Sequence, residues 1–565
     1  MSWKLREKAR SLLAQEEGTI IKDWGGKISV ALIYPNTYYV GMSNLGFQTI
    51  YYHLNQRPDV VCERVFLPDP EDLSEYLRTR TSLFSLESQQ PLLSFDFIAF
   101  SVPFENDYLN ILRILRMVDL PLFSRDRTGE SPLVAMGGIC AFSNPEPMAD
   151  FMDFFFMGEG EEVSREVIDI YKAVQGKTLN PDQQREAFLE RLLDLEGVYV
   201  PRFYNFRYRE DGRIDAFLPH ARAPFPVRKR ILYDINSYDT ISYIRTPNTE
   251  FGTMALLEIG RGCGRGCRFC LEGEIYRPIR HRSLSAILRA AEKASANSKK
   301  IGLLGACVSD YPWIDELCSA LQERNLEVSV SSLRADTITE TLLKVLKESG
   351  HKTITLAPEA GTERLRSVIH KQISDAELLK AIDLIASSGI PNLKLYFMVG
   401  LPTETDEDIL AIAELSKRLK HLMLVRGKDQ RRLGRISLSI NAFIPKPWTA
   451  FQWVPFEDVA SLESKIKRIK QSLKGVANIR VTYELPKWAY LQAFLARADR
   501  RASGLLLLAL DNDGNWRRAY RQWSLNPDFF VYRQRPLDEV FPWDHLEIGV
   551  KKERLIMEYR KAGLP

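Results

Sequence analysis

Cysteine is scarce in this chain. Seven in 565 residues, an odd number, are too few and too unevenly placed for a disulfide framework, which points to a reducing compartment, the cytoplasm. Long apolar runs are missing too: the longest uncharged one, Leu505 to Leu510, is far below the ~20 residues of a membrane span. The first ten residues are charged throughout and lack the apolar run of a signal peptide, so neither export nor a membrane is expected. Nor does charge of one sign prevail. Lys plus Arg number 77 against 73 Asp plus Glu, so bulk electrostatics gives no argument for nucleic-acid binding, and any RNA contact would be local.

What is present suits a large soluble protein. At ~150 residues per domain the length allows three or four domains, and 45% hydrophobic with 27% charged residues is ordinary for globular chains with sizeable cores. After an N-terminal helix within residues 1–25, short apolar runs recur at Ile28 to Tyr34, Phe95 to Val102, Pro132 to Gly138 and Phe151 to Met157. They alternate with amphipathic stretches such as Asn110-Ile-Leu-Arg-Ile-Leu-Arg-Met-Val, which predicts a doubly wound parallel sheet over residues 26–175. Residues 176–250 read as a strand-rich linker with a hairpin signal at Asp211-Gly212. Over 251–452 the βα grammar resumes. Thr337-Ile-Thr-Glu340 and Ser374-Asp-Ala-Glu377 are capping-box patterns ahead of helices, and the strands Thr353 to Leu356 and Leu393 to Val399 follow those helices. This pattern predicts an α/β chain with a central partial (βα) barrel. Residues 453–565 read as a small, mostly helical C-terminal domain.

The informative segment is Gly260-Arg-Gly-Cys263-Gly-Arg-Gly-Cys267-Arg-Phe-Cys270. Three thiols at this spacing arise by chance about once in a thousand chains of this composition, so a metal is the expected cause. Structural zinc takes four protein ligands, and no fourth Cys or His lies at a finger-like distance, His281 being eleven residues on. Three thiolates among glycines suit an iron-sulfur cluster with one iron left open to an exogenous ligand.

The Cys-x3-Cys-x2-Cys motif resembles the radical SAM superfamily. In that family three cysteines hold a 4Fe-4S cluster and the fourth iron binds the amino and carboxylate groups of S-adenosylmethionine. Ile275-Tyr-Arg-Pro278, Ser331-Ser-Leu-Arg334, Pro358-Glu-Ala-Gly361 and Gly400-Leu-Pro-Thr-Glu404 extend the likeness over nearly the whole chain, to the subgroup with an N-terminal cobalamin-binding-type domain. The resemblance implies Cys263, Cys267 and Cys270 as cluster ligands, with Phe269 shielding the cluster. Gly305 and Ala306 stand where the family has a glycine-rich motif for the methionyl amino group, although the usual Gly-Gly-Glu is absent. Ser332, Arg334 and Glu359 would face S-adenosylmethionine from strand ends, and Met398, Val399 and Gly400 would present backbone to its adenine. For Arg334 and Glu359 a surface ion pair is the competing reading.

Gly137-Gly138 and Gly158-Glu-Gly160 follow predicted strands, where open α/β sheets bind ligands. With Ser101-Val-Pro they resemble the cobalamin-binding domains attached to such barrels. The loop Pro35 to Gly46 has no His, so cobalamin would bind without histidine ligation from it; a domain that kept the fold and lost the cofactor is the alternative. Cys307, near Gly305, could act on substrate, whereas Cys62, Cys140 and Cys318 read as buried free cysteines and His281 as part of a solvated basic segment. The basic stretches Arg497 to Arg501, Arg517-Arg518 and Lys551-Lys552 offer an RNA or partner surface, with solvated helix faces as the blander reading.

The resemblance implies an enzyme that reductively cleaves S-adenosylmethionine to a 5′-deoxyadenosyl radical, taking electrons from a flavodoxin or ferredoxin. Cobalamin-dependent methyl transfer to an unactivated carbon would follow. One alternative is a radical enzyme with a cobalamin-free scaffold domain acting on RNA, peptide or a small molecule. Another is a non-enzymatic iron-sulfur electron carrier or RNA-associated module.

Overall fold

The strand β1 (Ile28–Tyr34) is buried at every position, as a strand covered on both faces must be. The computed structural model describes residues 2–175, 177, 179–295, 298–427 and 434–565. Beside β1 lie β2 (Val60–Phe66), β3 (Phe97–Ser101), β4 (Leu133–Gly137) and β5 (Phe154–Phe156), all parallel, and β6 (Val198–Tyr199) closes the edge antiparallel to β5. The order β2-β1-β3-β4-β5-β6 is doubly wound and reverses between β1 and β3, where such sheets place a ligand crevice. Helices Leu45–Asn55 and Gly160–Gln175 share a core with Val30 and Leu32, while Tyr108–Met117 packs with Ala31 and Ile33 on the other face.

Strand β2 escapes the apolar-run criterion because it holds Glu63 and Arg64. Both are buried, and both are satisfied. Arg64 pairs with Glu16 at 2.6 Å and Glu87 at 2.7 Å, and Glu63 accepts hydrogen bonds from Trp24, Ser85 and Ser88. The Asp211-Gly212 signal holds: β7 (Tyr204–Tyr208) and β8 (Ile214–Pro219) form a hairpin in which Gly212 takes φ 83°. The helix Pro181–Arg191, opened by an Asn180/Gln183 capping box, lies in the stretch read as strand-rich. After it comes β9 (Val227–Arg228).

The second half contains β10 (Ala255–Glu258), β11 (Gly260–Arg261), β12 (Arg280–His281), β13 (Lys300–Leu304) and β14 (Glu327–Val330). Then follow β15 (Thr353–Glu359), β16 (Asn392–Val399), β17 (Ile436–Ala442) and β18 (Ile479–Tyr483). β10, β13 and β14 are parallel neighbours, as are β15 to β18. A parallel bridge from Leu333 to Leu356 joins the two sets into a partial barrel. Ser374 and Glu377 make both bonds of their capping box, and Gly389 ends that helix at φ 82°. The helix Glu340–Glu348 is capped by Thr339, two residues beyond the expected Thr337, because Thr337 itself ends a separate turn over residues 335–337. Strand β18 extends the barrel sheet past residue 452, with Val459–Ser472 as its crossover helix.

The remainder is helical, apart from β19 (Leu546–Glu547), which pairs with β9. The Arg497–Arg501 stretch is interior, contrary to the expected basic surface. Arg497 is 1% exposed, Arg500 pairs with Glu146 at 3.0 Å and Arg501 with Asp499 at 2.6 Å. Among the described residues no helix is long and apolar enough to cross a membrane.

Candidate active site

The cysteine loop lies between β11 and the short helix Leu271–Ile275. Its return path demands glycine: Gly262 takes φ 78°, and a Cβ there would stand 2.4 Å from the Tyr276 carbonyl oxygen. Cys270 caps the helix, its Sγ accepting the Gly273 N–H at 3.4 Å. A Cβ on Gly273 would meet both Cys270 Sγ, at 3.6 Å, and Cys263 Cβ, at 3.9 Å, so these cysteines flank one small residue. The three thiols are half-buried and outside any disulfide. Burial pushes the Cys270 thiol up to about 12 and raises Cys267, which Lys371 and Arg334 partly offset. Three soft thiolate donors without a fourth protein ligand on the loop suit a 4Fe-4S cluster, in which each thiolate takes a different iron.

Contacts from distant sequence hold the loop. Arg268 donates to the Val368 carbonyl at 2.7 Å and pairs with Glu558 at 3.1 Å, and Arg554 of the same last helix, Lys552–Lys561, pairs with Glu274. His370 Nδ1 lies 3.0 Å from the Gly266 carbonyl oxygen. On the other side, Arg265 grips Asp310 through two bonds of 2.6 Å and reaches Asp336 at 3.0 Å. Burial works against ionization of Asp310, but the Arg265 guanidinium outweighs it and holds the carboxyl below its ordinary value.

Arg334 pairs with Asp336 at 2.9 Å and donates to the Lys371 carbonyl at 3.0 Å; Lys371 in turn pairs with Glu359 at 3.2 Å. Arg334, Glu359 and Lys371 thus meet at the C-terminal strand ends, beside Cys267. Burial raises the Glu359 carboxyl, against the pull of Lys371 and Arg334. Glu359 also sits at φ 70°, where β15 slips register against β16, a strained conformation of the kind that clusters at working sites.

A cavity of about 640 Å³ runs from the crevice of the N-terminal sheet to the barrel. Ser101, Gly137, Gly138, Gly158 and Gly160 line one side; Gly262, Gly305 and Ala306 line the other. Two sets of residues singled out separately in the sequence therefore share one space. Among the described residues no histidine lines it. Gly138 and Gly158 answer to the protein's own backbone, since a Cβ would lie 2.7 Å from Val102 O and 2.2 Å from Arg230 O. Gly137 has room, its nearest neighbour being Phe156 at 3.6 Å. The two halves are clamped by buried charge. Arg261 pairs with Glu161 and, at 3.0 Å, with Glu258, while Arg280 pairs with Glu159 at 2.6 Å.

Glu272 also lines the cavity, its carboxyl raised by burial and without an ion-pair partner among the described residues. Neither it nor Lys371 nor the clamp was singled out in the sequence. The acidic Gly158-Glu-Gly-Glu run facing Gly260-Arg261 was the available signal. Cys307 lies in a smaller cavity of about 20 Å³ with Cys263 and His281; burial and Asp310 push its thiol up to about 12. Phe269 is half-buried against the core and Ser332 is half-buried at its strand end. Val399 and Gly400 already have backbone partners: the Val399 carbonyl accepts from Phe443 at 2.8 Å and the Gly400 N–H donates to Glu404 at 2.9 Å. Met398, between buried Phe397 and Val399, turns to the barrel's hollow.

Two family models match the chain, "Radical SAM proteins, N-terminal" over residues 46–201 and "Radical SAM superfamily" over 257–416. An uncharacterized protein of Methanocaldococcus jannaschii is 34% identical over 482 residues, 85% of this chain and 90% of the relative. The ribosomal protein uS12 methylthiotransferase RimO of Clostridioides difficile is 24% identical over 196 residues, 32% of this chain and 43% of that enzyme. Among solved structures, the radical S-adenosylmethionine methyltransferase TsrM from Kitasatospora setae, with cobalamin and a [4Fe-4S] cluster bound, superposes with a TM-score of 0.51. It is 12% identical and covers 88% of this chain and 100% of that one, a likeness of fold.

Proposed function

The chain belongs to the radical SAM superfamily, and from that premise we propose that it is a cobalamin-dependent methyl-transferring enzyme. As a member it is an enzyme of 4Fe-4S and S-adenosylmethionine chemistry. The observation that carries the finer reading is the shared cavity: strand-end glycines of the doubly wound domain face Gly305 and Ala306, next to the cysteine loop. Its size is in the range of ligand pockets, and the fold-level likeness to a methyltransferase with cobalamin bound supports the same occupant.

In this reading Cys263, Cys267 and Cys270 hold the cluster. Arg334, Lys371 and Glu359 offer two cations and a carboxylate to the methionyl and ribose groups. Bound together, the cluster, S-adenosylmethionine and cobalamin supply one-electron cleavage to a 5′-deoxyadenosyl radical and a transferable methyl group. The chain's own part is placement. Gly305 and Ala306 put no side chain larger than a methyl between loop and cavity, so the reacting groups can meet at short range. The cavity is lined mostly by apolar side chains, which keep water from reactive species. Glu272 stands on its wall as an acceptor for a substrate N–H or O–H. A flavodoxin or ferredoxin delivers the electron.

The test is anaerobic reconstitution with iron, sulfide and hydroxocobalamin, followed by desalting and an absorption spectrum. Corrin bands that persist beside the cluster absorption support the reading. Retained iron without cobalt rejects cobalamin and leaves a radical enzyme whose N-terminal domain serves as scaffold.

A further inference from the structure

The cavity does not stop at the strand ends. It continues into the N-terminal domain as a shaft between one face of the sheet and the helices Leu45–Asn55 and Gly160–Gln175. Gly160, Ser164, Val167 and Ile168, on successive turns of one helix face, all line it, and that length of helix makes the shaft about 12 Å deep. Register explains the room. Leu32, Ala99, Ala135 and Phe154 lie in one row across β1, β3, β4 and β5, so the two middle strands give the row methyl groups and the two outer ones give it bulk. Ala99 is only half-buried although its strand is central in the sheet, because the shaft opens onto it.

The far end is apolar. Val30, Leu54, Phe97, Val167 and Ile168 close it, none more than 4% exposed. Polar side chains inside the mouth are few, and most are engaged. The Thr49 hydroxyl donates to the Leu45 carbonyl at 2.8 Å, and Asn44 accepts the Phe47 N–H at 2.9 Å. Ser164, one turn short of the closed end and 7% exposed, is different: its hydroxyl has no hydrogen-bond partner among the described residues, not even the carbonyl one turn back in its helix. A buried hydroxyl left unpaired costs stability, so a bound group is expected to complete it.

We propose that the shaft selects the corrinoid by its lower base: it takes the 5,6-dimethylbenzimidazole of cobalamin, with Ser164 donating to the free ring nitrogen, and rejects an adenine in the same place. The inference rests on the cobalamin reading and adds which corrinoid is held and by which residue. Dimethylbenzimidazole is flat, carries two methyl groups and offers one acceptor; the shaft has apolar walls and offers one donor. Adenine brings an amino group and several ring nitrogens, of which Ser164 can serve one. The rest would lie unpaired against Leu54, Phe97 and Ile168. A base in the shaft is a base taken off the cobalt, and among the described residues no histidine lines the cavity to replace it.

The experiment titrates the full, cluster-reconstituted chain with hydroxocobalamin, with its adenine-based analogue and with cobinamide, which has no nucleotide tail, by equilibrium dialysis and absorption spectroscopy. Cobalamin should bind about tenfold or more tighter than either, and its spectrum should shift on binding to that of a corrinoid without its base on the cobalt. Ser164→Ala should weaken cobalamin about threefold to tenfold and leave cobinamide unchanged. Ala99→Leu fills the middle of the row and should make cobalamin bind no tighter than cobinamide. Iron content and melting temperature report that each variant is folded, and Ser164→Ala carries the test if the larger leucine is not accommodated. The analogue or cobinamide binding as tightly as cobalamin, a bound cobalamin that keeps its base on the cobalt, or an unchanged affinity in Ser164→Ala overturns this inference and leaves the cobalamin reading standing. Protein that holds its iron and binds none of the three corrinoids overturns both.

Discussion

Arg268, between Cys267 and Cys270, is ion-paired at 3.1 Å with Glu558 of the last helix, across 290 residues of sequence. The last helix therefore braces the cysteine loop. Glu558→Ala should cost about 1–3 kcal/mol of loop stability, because it strips a largely buried guanidinium of its carboxylate. Arg268→Ala should cost more, since the same side chain also holds the Ser367 and Val368 carbonyls. Both predictions are read as faster iron loss to a chelator, with Arg268→Ala the faster. Equal retention in wild type and both variants would contradict the brace.

Arg334→Ala should keep its iron and bind S-adenosylmethionine about tenfold or more weakly, the usual effect of removing a charged hydrogen-bond partner. Asp336 stays paired to Arg265 in that variant, so the fold loses little. Lys371→Ala should weaken binding as well, because it leaves the buried Glu359 without its cation. Isothermal titration with S-adenosylmethionine checks both; unchanged affinity would return these residues to a purely structural ion-pair network.

Gly137 and Gly158 should separate ligand from fold. A valine at Gly137 meets Phe156 at ordinary contact distance and intrudes on the cavity, so Gly137→Val should retain iron and melt near wild type yet lose cobalt on desalting. Gly158→Ala should instead destabilise the protein outright, by about 1–3 kcal/mol from backbone strain alone, since φ is 113° and Arg230 O stands in the way.

The buried Arg64 pair predicts an acid limb. Burial raises the Glu16 carboxyl, but Arg64 outweighs it and the folded value falls below the ordinary one. Such a group contributes stability that is fully present above its unfolded value of about 4.3 and is lost as pH falls through the lower folded value. Urea midpoints measured from pH 6 downward should decline in that window. They should decline less steeply in Glu16→Gln, which has no proton to take up there.

Much of the fold was legible because parallel strands buried on both faces leave apolar runs, as in β1, β3 and β4. Strand β2 was hidden because its charges are neutralised by Glu16, Glu87 and three hydroxyl or indole donors far away in sequence. The cysteines were readable because one short loop supplies all three. The clamp of Glu159, Glu161, Arg261 and Arg280 was not, since each charge looks solvated until two domains meet.

The central claim is that one cavity joins the N-terminal sheet to the cysteine loop for cobalamin and radical chemistry together. The most direct test measures iron, cobalt and 5′-deoxyadenosine on a single anaerobically reconstituted, desalted sample reduced with S-adenosylmethionine. The account predicts about four iron atoms and about one cobalt per chain, with 5′-deoxyadenosine formed and all of the iron lost in Cys267→Ala. Protein that retains its iron and forms 5′-deoxyadenosine but never holds cobalt would contradict it.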